Sequence, residues 1–351
     1  MSSLNHELAP GYFISRLIKG SWQLSSGHSG GVDAAQAIED MAAYIAAGIF
    51  TFDMADIYTG VEELVGSFIK KYRANFESGQ MLRPAIHTKY VPDLDALAAL
   101  RKRDVESIID RSLKRLNVEI LDLVQFHWWD YAIPRYVETA GYLNELRQAG
   151  KIRHLGLTNF DGQRTREIAE AGIPIISTQV QYSLLDRRPA QDLSDICRRF
   201  NIKLLCYGTV AGGFLSSRYL GAPEIKNNFE NRSLIKYKLI IDECGGWEFF
   251  QELLALLNQL AQKHQTGIAE IATRYVLDQP LVAAAIIGAK GKTHLANSLK
   301  ITDIELAEED RRKINLLLSQ TKGPSGPVYA LERDRDGPHG RIMRYNLNKS
   351  G

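Results

Sequence analysis

The chain is 351 residues long, enough for one large hydrophobic core or two moderate ones. Its 43 basic residues nearly balance 41 acidic ones, giving a formal charge of +2, and no long run of one sign occurs, which argues against nucleic acid or an anionic membrane as a partner. Three cysteines without a Cys-x-x-Cys spacing, a polar N-terminus from Met1 to Pro10 and no apolar stretch near about eighteen residues argue against a disulfide framework, a signal peptide and a membrane span, so a cytoplasmic protein is expected.

Strand-like and helix-like segments alternate along the chain. Leu17 to Trp22 reads as a strand, and Asp33 caps a helix with Ile38, Met41, Ala42 and Ile45 on its apolar stripe, stopped by Gly48. A second strand ends at Asp53, and a helix from about Glu62 places Leu64, Val65, Phe68, Ile69 and Tyr72 at helical spacing. A third strand ends at Lys89 and is followed by a helix from about Asp104 to Arg115; a fourth runs from Leu121 to Phe126, with a helix from about Pro134 to Ala149 that stops at Gly150. His154 to Thr158, Ile175 to Val180, Lys203 to Tyr207 and Ala283 to Ile287 supply four more strands, each with a helix-like partner.

This regular alternation predicts a parallel eight-stranded (β/α)8 TIM barrel with outer helices, rather than an open doubly wound sheet, for which no G-x-G-x-x-G is present. The whole chain, 1–351, reads as one barrel domain with its core over about 10–318 and a tail of unassigned role over 319–351. Val210 to about Gly246 is long for a strand-helix connection, either a loop closing over a ligand or a disordered insertion.

Four polar residues stand at or just beyond three of these strands: Asp53, Tyr58, Lys89 and His127. Parallel strands lying side by side bring them to one rim, where such barrels keep their chemistry. A tyrosine is a poor acid at its ordinary pKa near 10, and an adjacent ammonium favours its phenolate. Lys89 has that role here, Asp53 holds Lys89 charged and aimed, and His127 binds a carbonyl oxygen. Trp128, Trp129 and Tyr131 either line the mouth of the site for an apolar or aromatic carbonyl substrate or pack the loop. Cys206 is either oxidisable or simply buried.

Gly20-Ser21-Trp22-Gln23-Leu24, Asp53-Met54-Ala55-Asp56-Ile57-Tyr58 with Glu62 and Gly66, Thr88-Lys89, Gln125-Phe126-His127 and Gly150 to Phe160 resemble the aldo-keto reductase family, as do Gln179 to Ser183 and Ile286 to Lys290. The resemblance spans roughly residues 10 to 310. It implies reduction of aldehydes or ketones, NADP (NADPH) bound extended across the rim with NAD possible, and a small-molecule carbonyl as partner. By position it implies cofactor contacts from Ser21, Trp22, Asp53, Thr158, Asn159, Gln179, Gly208 and Gly288, substrate contacts from His127 and Trp128, and Tyr207 stacked on the nicotinamide unless it only packs the rim. Where the family often has an arginine and an asparagine this chain has His294 and Ser298; Lys290, Lys292 and His294 are the cations available to a 2′-phosphate.

A non-enzymatic, nicotinamide-binding redox sensor similar to the potassium-channel β subunits is the alternative function. Two further motifs lack their context: Gly27-His28-Ser29-Gly30-Gly31 fits a nucleophile elbow but does not join a strand to a helix, and Gly288 to Thr293 resembles a shortened phosphate loop whose first glycine is Ile286.

Overall fold

The computed structural model describes residues 4–26, 31–227, 229–321 and 323–348, so the Gly27 to Gly30 part of the nucleophile-like motif lies outside the described residues. Strands β1 (Asn5–Ala9) and β2 (Tyr12–Ser15) form an antiparallel hairpin that the sequence pattern did not announce. Eight strands then close a parallel barrel in chain order: β3 (Leu17–Gly20), β4 (Thr51–Asp53), β5 (Ala85–Tyr90), β6 (Leu121–Phe126), β7 (Ile152–Thr158), β8 (Ile175–Gln181), β9 (Lys203–Tyr207) and β10 (Val282–Gly288), the last pairing with β3. The expected TIM barrel is therefore present.

Outer helices follow the strands: α1 (Ala34–Ala46), α2 (Val61–Glu77), α3 (Lys102–Leu116), α4 (Tyr136–Gln148), α5 (Gly162–Glu170) and α6 (Asp192–Arg199). After β9 come α7 (Arg232–Glu243), α8 (Gly246–Lys263) and α9 (Ile268–Leu277), and after β10 come α10 (Leu295–Asp303), α11 (Glu308–Leu318) and the short α12 (Ala330–Arg333) in the tail. The described part of the long connection from Val210 to Gly246 contains 3₁₀ turns and all of α7.

Local chemistry sets these elements. Every residue of β5 and β6 is buried, as parallel strands covered on both faces require. The Asp33 side chain accepts from the Gln36 backbone N–H and starts α1. Gly150, at φ 83°, follows α4 in the left-handed conformation that ends helices with little strain in glycine. Gly66 lets α2 approach α3, since a Cβ there would collide with the Arg115 carbonyl oxygen.

The hairpin closes the barrel end opposite the strand C-termini. Leu8, Tyr12 and Ile14 pack with Ile18, Leu123, Leu205, Ala284 and Ile286, and the Tyr12 hydroxyl lies 2.9 Å from His87 Nε2. Burial pushes the His87 pKa down to about 3, so native His87 stays neutral while an unfolded histidine titrates near 6.5. The sign follows: this contribution is complete above pH 6.5 and is lost as pH falls toward 3, because only the unfolded chain takes up the proton. Below pH 6.5 it gives a slope of about 1.4 kcal/mol per pH unit. Urea unfolding of His87→Asn between pH 7 and pH 5 is expected to show a shallower acid slope than wild type; equal slopes would refute the assignment.

Candidate active site

Strand register sets the rim. Gly20 pairs with Asp53, Lys89 with Gln125, Thr158 with Gln179, Gln181 with Tyr207 and Gly288 with Gly20, so the C-terminal strand ends stand side by side. Lys89 Nζ donates to Asp53 Oδ1 at 2.6 Å and to the Met54 carbonyl at 2.8 Å, with both charged side chains about 6 % exposed. Asp53 Oδ2 accepts from Gln125 Nε2 at 2.9 Å and from Gln179 Nε2 at 2.6 Å. Gln179 Nε2 also lies 2.8 Å from Gln125 Oε1. The carboxylate is therefore held by three side chains and cannot swing away without breaking several charge-assisted bonds.

The Lys89 ammonium lies 5.0 Å from the centre of the Tyr58 ring, whose other neighbour is the Trp22 ring at 4.8 Å. Burial works against the Lys89 charge, yet Asp53 and Tyr58 more than offset it and the pKa moves up. Tyr58 departs from the expectation of a stabilised phenolate: burial raises its pKa, Lys89 opposes this, and the net direction is upward. Tyr58 therefore carries its proton at neutral pH. Lys89 favours the phenolate but does not outweigh burial.

His127 is buried, and its Nδ1 lies 3.1 Å from the Thr158 carbonyl. Burial first, then the Arg333 charge, push its pKa down to about 3, so the imidazole is neutral. The ring meeting it edge-on at 4.2 Å is Trp129. Trp128, expected to touch substrate, is instead fully buried, donates to the Asp130 and Ile133 carbonyls and packs on Phe126. Consecutive residues leaving a strand point in opposite directions, so the two tryptophans cannot both face the mouth.

The tail, unassigned from sequence, crosses this mouth. Tyr329 sets its ring 5.6 Å from that of His127, and Arg333 Nη2 donates to the Trp128 and Asn159 carbonyls at 3.1 and 2.7 Å. Glu332 anchors it: its buried carboxylate pairs with Arg188 at 3.4 Å and with Lys236 of α7 at 3.2 Å. Despite burial, these cations lower the Glu332 pKa to about 2. This stabilisation is full above the unfolded value near 4.5 and is lost as pH falls through 2. Glu332→Gln leaves the Lys236 ammonium without its counter-charge, a defect worth on the order of 3 kcal/mol. Hydrogen exchange over residues 323–348 is expected to quicken in this variant while the barrel strands stay protected; unchanged tail exchange would contradict the clamp. Gln125, Lys236, Tyr329 and Glu332 were missed from sequence. Only Gln125, a polar residue in an apolar strand, left a signal there.

The remaining expected residues divide by place. The Ser21 hydroxyl is buried without a partner, Trp22 is 39 % exposed, and the Tyr207 hydroxyl donates to Asn159 Oδ1 at 2.9 Å. Asn159 and Gly208 adopt left-handed backbone conformations. Lys236 lies 5.4 Å from the centre of the Tyr207 ring. Gly288, Lys290, Lys292 and His294 are exposed around the turn that enters α10, where the Ser298 hydroxyl donates back to the His294 carbonyl. All three cysteines are buried and unpaired, and burial raises the Cys206 pKa, so the inert reading of Cys206 fits. Among the described residues no helix is long and apolar enough to cross a membrane.

Comparison with known proteins agrees with this geometry. Residues 16–318 match the model of the aldo/keto reductase family. An aldo-keto reductase of Bacillus subtilis is 31 % identical over 337 residues, covering 93 % of this chain and 97 % of its own. A protein of Escherichia coli named as an NADH-specific methylglyoxal reductase is 25 % identical, covering 85 % of this chain and 92 % of its own. The solved structure of a glycerol dehydrogenase from Gluconobacter oxydans superposes with a TM-score of 0.75 at 25 % identity, covering 93 % of this chain and 99 % of that one.

Proposed function

Because the chain belongs to the aldo-keto reductase family, we propose that it reduces aldehyde or ketone carbonyls to alcohols, with a nicotinamide cofactor and Tyr58 as the proton donor. The observation carrying this reading is the buried Lys89–Asp53 pair beside the Tyr58 ring. A fixed cation next to a protonated phenol is an arrangement for transferring a proton to an oxygen that gains charge.

The residues fit such a cofactor. The partnerless Ser21 hydroxyl and the Asn159–Tyr207 pair offer polar groups for a carboxamide, and the Lys290, Lys292 and His294 side chains surround the entry to α10, where a phosphate is favoured. A reduced nicotinamide held there supplies the hydride. Tyr58 gives its proton to the carbonyl oxygen as charge builds on it, and Lys89 stabilises the resulting phenolate. Asp53, fixed by Gln125 and Gln179, keeps the ammonium in place. Trp22, Trp129 and Tyr329 surround these groups with apolar surface, where electrostatic effects are stronger than in water. In the reverse direction the Tyr58 phenolate takes the alcohol proton.

The cofactor is NADPH in preference to NADH, because three cationic or ionisable side chains can meet a 2′-phosphate. The Escherichia coli relative is named as NADH-specific, so this preference is argued from Lys290, Lys292 and His294 alone. A panel of aldehydes and ketones with NADPH and NADH, followed by loss of reduced-cofactor absorbance, tests the reading. Rapid turnover with NADPH supports it. Slow oxidation indifferent to every carbonyl would favour the redox-sensing alternative.

A further inference from the structure

A buried polar cluster lies beneath the turn that carries Lys290 and Lys292. Lys19 of β3 is 1 % exposed, and its ammonium sits 5.4 Å from the centre of the Tyr44 ring on α1. An ammonium has three protons to donate, yet among the described residues its one hydrogen-bond acceptor is the Ala289 carbonyl oxygen at 3.3 Å. Asp40 of α1 attracts the charge without accepting a hydrogen bond from it; burial outweighs this attraction and brings the Lys19 pKa down to about 8, so the group is mainly a cation at pH 7. The Tyr44 hydroxyl donates to the Gly291 carbonyl at 3.2 Å, and a Cβ at Gly291 would stand 2.9 Å from Asp40 Oδ2, so the turn rests directly on the cluster.

A desolvated ammonium with two protons unmet lowers stability, and an apolar side chain is the ordinary occupant of such a strand position. The geometry of the turn shows what the cation does there. No peptide bond among the described residues is cis, so a carbonyl that points inward sends the N–H of the next residue outward. Lys19 and Tyr44 draw the Ala289 and Gly291 carbonyls in, and the Lys290 and Lys292 N–H groups therefore face away from the cluster, where neither donates to a described residue. We propose that Lys19, together with Tyr44, is a positioning residue for the 2′-phosphate of the cofactor: the pair turns these two N–H groups toward the phosphate, and the Lys19 ammonium offsets the Asp40 charge beneath it. The inference rests on the NADPH reading and deepens it, since it places part of the cofactor preference in buried side chains that do not themselves touch the phosphate.

Binding of NADPH and of NADH, followed by fluorescence quenching, tests this without any turnover. Lys19→Met is expected to raise the Kd for NADPH by about tenfold while that for NADH changes by less than about twofold. Its urea midpoint is expected to be no lower than that of wild type, because the variant loses a desolvated charge. Tyr44→Phe removes a single hydroxyl and is expected to raise the NADPH Kd by about threefold, again without moving that for NADH; its result decides if Lys19→Met does not fold. Equal weakening of both cofactors would mark a general scaffold role, and NADPH affinity that survives both substitutions would show that no phosphate contact depends on them. Either result overturns the proposal. A wild-type protein that binds NADPH no more tightly than NADH counts against the 2′-phosphate reading itself, whereas a wild-type preference for NADPH kept by both variants counts against Lys19 and Tyr44 alone.

Discussion

Tyr58→Phe is expected to lower kcat by about a hundred- to ten-thousandfold, the range that a positioned proton donor supplies, while cofactor affinity measured by fluorescence quenching stays within about twofold. The substitution removes one oxygen and keeps the ring that packs between Trp22 and Lys89. A folding defect is therefore not expected. Since burial raises the Tyr58 pKa, the donor stays protonated through neutral and mildly alkaline pH. Reduction by wild type is expected to show no loss of kcat from this group until pH exceeds about 10, the ordinary tyrosine value. A variant with near-wild-type turnover contradicts the assignment of Tyr58.

Lys89→Met is expected to damage both activity and stability. Methionine fills much of the lysine volume but leaves Asp53 Oδ1 without its ammonium, a buried carboxylate with one oxygen unpaired. Removing one partner of a buried ion pair costs about 3 to 5 kcal/mol, readable as a lower urea midpoint with little change in slope. Turnover is expected to fall at least a hundredfold, because the departing Tyr58 proton leaves a phenolate with no adjacent cation. Asp53→Asn combined with Lys89→Met removes both charges, so the double variant is expected to recover part of the lost stability and none of the activity. Additive stability losses in the double-mutant cycle would show that the two groups are not coupled.

How much of this was legible in the sequence depends on whether the signal was local. Strand ends were, because a buried parallel strand is a short, largely apolar run, here of three to six residues, and Asp53, Lys89 and His127 interrupt or follow such runs. Gly48 and Gly150 marked helix ends through the backbone conformation that glycine tolerates. The β1–β2 hairpin was not legible: Asn5 to Ala9 alternates weakly, and its value lies in the contact of Tyr12 with His87, far away in the chain. Trp128 and Trp129 are equivalent by composition, and only the direction of the chain leaving β6 separates a packing residue from one that meets His127. The tail carries a charged run and has no role legible in sequence. Its Glu332 is nonetheless among the most buried carboxylates, because Arg188 and Lys236 reach it from two distant elements, and no spacing within Glu332-Arg333-Asp334-Arg335-Asp336 encodes that. The Tyr58 pKa direction was misjudged for a related reason: sequence suggests the neighbouring charge but not the depth of burial that outweighs it.

Isotope transfer tests the central claim most directly. NADPH carrying deuterium on one face of C4 is incubated with the enzyme and an aldehyde or ketone that it turns over, and the alcohol formed is analysed by mass spectrometry. Direct hydride transfer at a site where Tyr58 provides the proton predicts one deuterium on the new carbinol carbon in wild type, from one C4 face only, and almost no alcohol from Tyr58→Phe. Alcohol free of deuterium from either C4 face, or labelled alcohol formed equally fast by Tyr58→Phe, would contradict it.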